Sequence, residues 1–268
     1  MKPAIQLLIL FFGLTIFTQE KPIQTISKNI NGKVKVFGKN NTDLTYSVEF
    51  NFSGTGCKPS KKVPVTKVMP PNSEVELFDL IIKKNKKWKY STTETFVIGD
   101  ITAKPNKTFT YDLPYAKGDT YSVSQGYHGT FSHEGKYAID FTMPEGTPLH
   151  TIRTGKVVKL KKDSNSGCPS KKCVKQANYI WIEHKDGTIA EYAHMQFNGT
   201  HLKVGDIVQK GDKIGLSGNT GFSQAPHLHL EIFVQTIDGK RKTIATKFKA
   251  NGKVLKSLKK GEKYTNSI

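Results

Sequence analysis

Cysteine is scarce, with three residues in 268. Only Cys168 and Cys173 stand close together, in the polar loop 164–175, and without a second close pair a tetrahedral cysteine cluster is excluded. A disulfide closing that loop is the expected state of the pair. Cys57, in Gly-Thr-Gly-Cys-Lys-Pro, is expected to be a buried, inert thiol. Long apolar runs are missing beyond residue 18. The one such run, 5–17 behind Lys2, is too short for an ordinary membrane span; residues 1–18 read as a signal peptide and the chain as exported, to the periplasm, the cell envelope or the medium. Negative charge is also in short supply, since 22 Asp and Glu face 41 Lys and Arg for a formal net charge of +19. That balance favours acidic polymers as partners. The lysines are scattered, with no basic helix and no RNA-binding aromatic motif, so nucleic acid is not expected and an anionic cell-envelope polymer is the better candidate. A monomer is expected.

What is present is β-type sequence. Runs at 33–37, 45–52, 61–68, 74–82, 95–98 and 108–113 are separated by turns such as Gly38-Lys39-Asn40-Asn41 and Pro70-Pro71-Asn72. They predict a β-sandwich-like accessory domain over 24–113. No cluster of His, Asp, Glu or Cys falls in it, so it reads as a module for binding or spacing, with 114–120 as the link. In the second half, runs 178–184 and 188–194 flank Lys185-Asp186-Gly187, a strong hairpin signal. Two Gly-Asp turns punctuate 204–215. There is no convincing amphipathic helix and no long-period repeat. The expected fold is mostly β, with an antiparallel domain over 120–250 and a C-terminal extension over 251–268.

The chemistry-bearing residues gather in that second half. In His227-Leu228-His229-Leu230-Glu231-Ile232 a strand's period of two puts both histidines and Glu231 on one face. Upstream, Ala138, Asp140 and Thr142 would share one face, and Tyr137, Ile139 and Phe141 the other. A carboxylate between apolar neighbours on a core strand needs a partner, and a metal is one. Two imidazoles and one carboxylate with an open fourth position is a catalytic zinc arrangement. His133, Asp140 and His229 can supply it, leaving His194 and His227 as acid, base or oxyanion partners. Glu231 can orient a histidine from behind. Tyr192 is expected to face with His194 and to serve in packing, while His150, His184 and His201 are expected outside any site.

These pieces resemble the lysostaphin-type (LytM-like) zinc metalloendopeptidases, which cut peptide bonds in bacterial cell walls. The resemblance rests on Ser-His133 to Ile-Asp140-Phe, Glu-Tyr-Ala-His194-Met, Pro-His227-Leu-His229 and the Gly-rich run 204–221. It covers roughly 120–235. It implies that His133, Asp140 and His229 bind zinc, that His194 and His227 act on substrate or bound water, and that the substrate is peptidoglycan peptide, in a cross-bridge or stem. The commonest form of the family has three residues between the first His and the Asp; six separate His133 from Asp140 here, and His128, in Gln-Gly-Tyr-His-Gly-Thr, competes as first ligand. The alternative is a catalytically inactive relative that binds cell wall or regulates another hydrolase.

Overall fold

The computed structural model describes residues 21–267. The signal-peptide reading of 1–18 lies outside the described residues. Among those described, no helix is long and apolar enough to cross a membrane; the helical element is one 3-10 turn, Lys171–Gln176.

The first seven strands are β1 (Ile23–Ile30), β2 (Lys33–Asn40), β3 (Tyr46–Thr55), β4 (Cys57–Pro59), β5 (Val65–Met69), β6 (Glu74–Ile82) and β7 (Lys89–Ile98). They form two facing sheets, in the orders β1-β2-β6-β4 and β5-β3-β7. Alternation explains the core, since Val48 and Phe50 of β3 and Phe78 and Leu80 of β6 turn inward. Three strands go beyond the sequence expectation, the short β4 among them. β1 was not expected, and β7 begins six residues before the run at 95–98 because its first half is polar and solvent-facing. Cys57 is buried and unbonded, and Cys168 and Cys173 are joined in a disulfide, both as expected.

The second half continues with β8 (Thr110–Tyr111), β9 (Thr120–Gln125), β10 (Ala138–Thr142), β11 (Pro148–His150), β12 (Gly155–Lys161), β13 (Gly167–Cys168), β14 (Tyr179–Glu183) and β15 (Ile189–Ala193). After these come β16 (Ile207–Val208), β17 (Lys213–Leu216), β18 (Gly221–Phe222), β19 (His227–Gln235), β20 (Arg241–Thr243), β21 (Lys247–Ala250), β22 (Lys253–Leu255) and β23 (Lys263–Thr265). One large sheet runs β16-β12-β14-β15-β19-β10-β9-β23, with β20 also paired to β19. The expected hairpin is β14–β15. Both Gly-Asp turns use the same device: the Asp206 and Asp212 carboxylates accept from the backbone N–H of Lys203 and Gln209, each at 2.8 Å.

β19 lies in the middle of this sheet and its two faces have different fates. Leu228, Leu230 and Ile232 enter a core with Ile139, Phe141 and Tyr192. The other face carries His227, His229 and Glu231, and then Phe233, which joins Trp181, Ile189 and Val158 in the apolar cluster of the sandwich, with Phe50 and Phe78. The sandwich therefore packs on the same sheet face that bears the histidines, further along the strand. Each such buried side chain contributes about 1.5–3 kcal/mol. The chain after 250 folds back onto this body: β23 extends the sheet beside β9, and Leu258 and Tyr264 are buried in its core.

Candidate metal centre

The register of β19 assembles the centre. Against β10 it sets Asp140 directly opposite His229 and Thr142 opposite His227. Against β15 it sets Ala193 opposite His229. Directly opposed residues share a face, so the carboxylate and both imidazoles look into one space, and the small alanine leaves room for the His229 ring.

His133 arrives from the loop between β9 and β10. The residues Glu134-Gly135-Lys136, which lengthen the spacing to Asp140, form a turn with Gly135 at φ +70° and the Lys136 N–H donating to His133 O at 2.8 Å. That turn absorbs the extra length and returns the chain to β10 with the fully buried His133 beside Asp140. His133 Nε2 lies 3.2 Å from Asp140 Oδ1 and 3.2 Å from His229 Nδ1, and the latter two atoms are 2.9 Å apart. His128, the competitor for this position, instead sits in the groove wall with its ring 4.6 Å from that of Tyr137.

Gln125 braces the loop and was not singled out from sequence. Its amide donates to Asp140 Oδ2 at 2.9 Å and to Ser132 Oγ at 2.8 Å, and its carbonyl accepts from the N–H of Phe131 and Ser132. Gly129 makes the space, because a Cβ there would meet the Gln125 side chain at 2.4 Å. Strict alternation would send Gln125 to the same face as the buried Val123. A register shift between Asp140 and Phe141 re-aims it, and no sequence signal marks that shift.

His194 follows the last residue of β15. Alternation places it on the core face with Tyr192, as expected from sequence, and that expectation is corrected here. Tyr192 does enter the core, its hydroxyl accepting from the Ile152 N–H at 2.8 Å. His194 adopts a left-handed φ of 63° and turns to the other side, with its ring 4.5 Å from His227 and 6.0 Å from His229. Its Nδ1 donates to Thr220 O at 2.7 Å, and Nδ1 of His227 donates to Ala225 O at 2.8 Å. Each ring then offers Nε2, with its lone pair, to the groove. Burial first, with the neighbouring His227 and His229, drives His194 down to about 3, and burial also lowers His227. Both rings are neutral bases at neutral pH.

The donor set calls for a cation. Gly126 O, which can only accept, faces His133 Nδ1 at 3.1 Å and fixes the proton there, so His133 Nε2 points a lone pair at a carboxylate 3.2 Å away. Burial alone would raise Asp140, but its contacts with His133 and His229 hold it well below the usual carboxylate range. Burial opposes a charge on His229, yet Asp140 at one ring nitrogen and Glu231 at the other push it up to about 10. Positive charge is therefore favoured where Nδ1, Nε2 and Oδ1 converge, and two imidazoles with one carboxylate suit zinc. A second group of donors, Glu191, His229 and Glu231, also lies close together. Arg241 already bridges its two carboxylates, so it is an ion cluster.

A groove of about 780 Å³ opens beside the donors. Phe131, half exposed, and Phe222 stand 5.3 Å apart along it, and the backward-folded segment with Lys259 and Lys260 forms another wall. His150, His184 and His201 lie outside it, as expected.

Such a donor set beside an open groove has the form of a catalytic zinc site. Comparison with known proteins gives the family. Residues 134–242 match the family model of Peptidase family M23, a span that holds Asp140, His194, His227 and His229 and begins one residue after His133. An uncharacterized metalloprotease of Buchnera aphidicola is 41% identical over 102 residues, 38% of this chain and 23% of that protein. Peptidoglycan DD-endopeptidase ShyA of Vibrio cholerae is 38% identical over 96 residues, 36% of this chain and 20% of that protein. The solved catalytic domain of lysostaphin from Staphylococcus simulans is 30% identical, covering 47% of this chain and 87% of that one at a TM-score of 0.34. Residues 134–242 thus match a metallopeptidase family, and zinc is the cofactor that its donor set takes. The chain spans less than a quarter of the length of these two curated relatives.

Proposed function

We propose that the protein is an exported endopeptidase that hydrolyses peptide bonds in bacterial peptidoglycan, with zinc held by His133, Asp140 and His229. The observation that carries this reading is the convergence of three ligand atoms at 2.9–3.2 Å beside two neutral imidazoles. Bound zinc supplies Lewis acidity toward a peptide carbonyl. The chain's own groups handle the protons. Nε2 of His194 or His227 accepts the proton that water gives up as its oxygen bonds the carbonyl carbon, and returns it to the amine as the C–N bond breaks. Their Nδ1 bonds to Thr220 and Ala225 hold both rings in the tautomer that this role requires. Support for a wall substrate comes from the peptidoglycan endopeptidase among the relatives and from the +19 charge, which attracts anionic envelope polymers. In this reading residues 120–250 form the peptidase domain, and the sandwich at 24–113 presents the protein to the wall.

Digestion of purified peptidoglycan followed by mass spectrometry tests it. New free amines on peptide fragments, with intact glycan strands, are expected. Broken glycan chains, or no release by zinc-loaded protein from several wall types, would transfer the assignment to a wall-binding or regulatory relative.

A further inference from the structure

Three of the four imidazoles around the centre have one ring nitrogen fixed by a backbone carbonyl: His133 by Gly126, His194 by Thr220 and His227 by Ala225. His229 is the exception. Its Nδ1 faces the other two ligand atoms, and its Nε2 faces Glu231 Oε2 at 3.7 Å, within ion-pair reach but longer than a closed hydrogen bond. Two carboxylates flank this ring, Asp140 at Nδ1 and Glu231 at Nε2, and a cation held between Nδ1 and Asp140 would leave Glu231 as the one that keeps the ring proton.

Glu231 is itself an unusual residue for its position. It is 2% exposed, and directly across the sheet it meets Glu191, also buried. Two opposed buried carboxylates are destabilising unless compensated. Arg241 compensates one charge by bonding both residues. Glu191 is engaged on both oxygens, by Arg241 and by the Trp181 indole N–H at 2.7 Å. Glu231 gives Oε1 to Arg241, which leaves Oε2 for His229. The guanidinium is held in turn over the rings of Trp181 and Phe233, at 4.9 and 5.0 Å.

We propose that Glu231 is a positioning residue for the metal ligand His229, keeping the ring proton on Nε2 so that the Nδ1 lone pair faces zinc, and that Arg241 fixes the Glu231 carboxylate for this task. Carboxylates behind ligand histidines set the tautomer and raise ligand basicity, and their loss typically costs 10–100-fold in metal affinity. The inference rests on reading His133, Asp140 and His229 as the ligands.

The test uses the full chain. Zinc affinity is measured by competition with a fluorescent chelator for wild type, Glu231→Gln and Glu231→Leu, and the His229 tautomer in the zinc-loaded wild type is read by long-range ¹H–¹⁵N NMR. The expected results are an Nε2–H tautomer, a loss of about 10–100-fold for Glu231→Leu, and partial rescue by Glu231→Gln, whose amide oxygen still accepts from Nε2. A merely structural Glu231 would lower unfolding stability and leave the zinc affinity of the folded fraction unchanged. That result, or a proton on Nδ1 in the wild type, overturns the proposal, and the tautomer measurement decides even where Glu231→Leu does not fold. Failure of the ligand assignment is separately visible, as full zinc binding by His229→Ala.

Discussion

His194 owes its place to a single backbone torsion, and His133 to a three-residue turn, so the two contribute in different ways. Asp140→Ala or His229→Ala should strip zinc from a protein that otherwise carries about one ion per chain, as elemental analysis would show. His133→Ala should do the same and His128→Ala should not; the opposite pattern would move the first ligand to His128. His194→Ala and His227→Ala should keep the metal and lose turnover by roughly two to four orders of magnitude, and metal loss in either would undo the division of roles. A third residue sets a pH dependence away from the centre. Burial first, with Asp100 adding and Lys156 opposing, raises Glu183 from 4.5 to about 7. From about pH 4.5 to 7 the folded chain keeps a proton that the unfolded chain has released, so this group's contribution to stability falls as pH rises through that window and is fully unfavourable above it. Glu183→Gln should therefore raise Tm at pH 8, by about 2–4 °C for each kcal/mol recovered, and do little at pH 4. Equal shifts at both pH values would contradict the assignment.

At the scale of the element, the alternating strands were legible and the irregular joints were not. The faces of β10 and β19 follow from a period of two, which is why Asp140, His227 and His229 could be brought together on paper. The partners that complete the centre sit where regularity fails. Gln125 depends on a register shift, His194 on a left-handed residue, and Arg241 on a short edge strand whose pairing reaches across the sheet. The polar, solvent-facing first half of β7 and the late strand β23 were hidden because neither carries an apolar run. β23 nevertheless closes the sheet edge, and the Tyr115 hydroxyl donates to Tyr264 O at 2.7 Å. A chain ending at residue 262 loses the Tyr264 ring, about 1.5–3 kcal/mol of burial. Its Tm should fall by several degrees or more while zinc content per folded chain is kept, and an unchanged melting curve would show β23 to be dispensable.

For the whole molecule, the joint between sandwich and sheet is apolar core. Phe233, Trp181, Ile189 and Val158 pack with the sandwich residues in one cluster, so calorimetry of the full chain should show one cooperative transition rather than two. Two separated peaks would mean that the halves unfold independently.

That joint also bears on how such a chain can change over generations. Recombination near residues 114–120 would give the enzyme half a new companion and leave Trp181 and Phe233 bare, with Arg241 deprived of the rings that carry it. A unit tethered by a loose linker can be exchanged without uncovering any core; exchange of this sandwich would leave an apolar face in water unless its replacement presented a matching one.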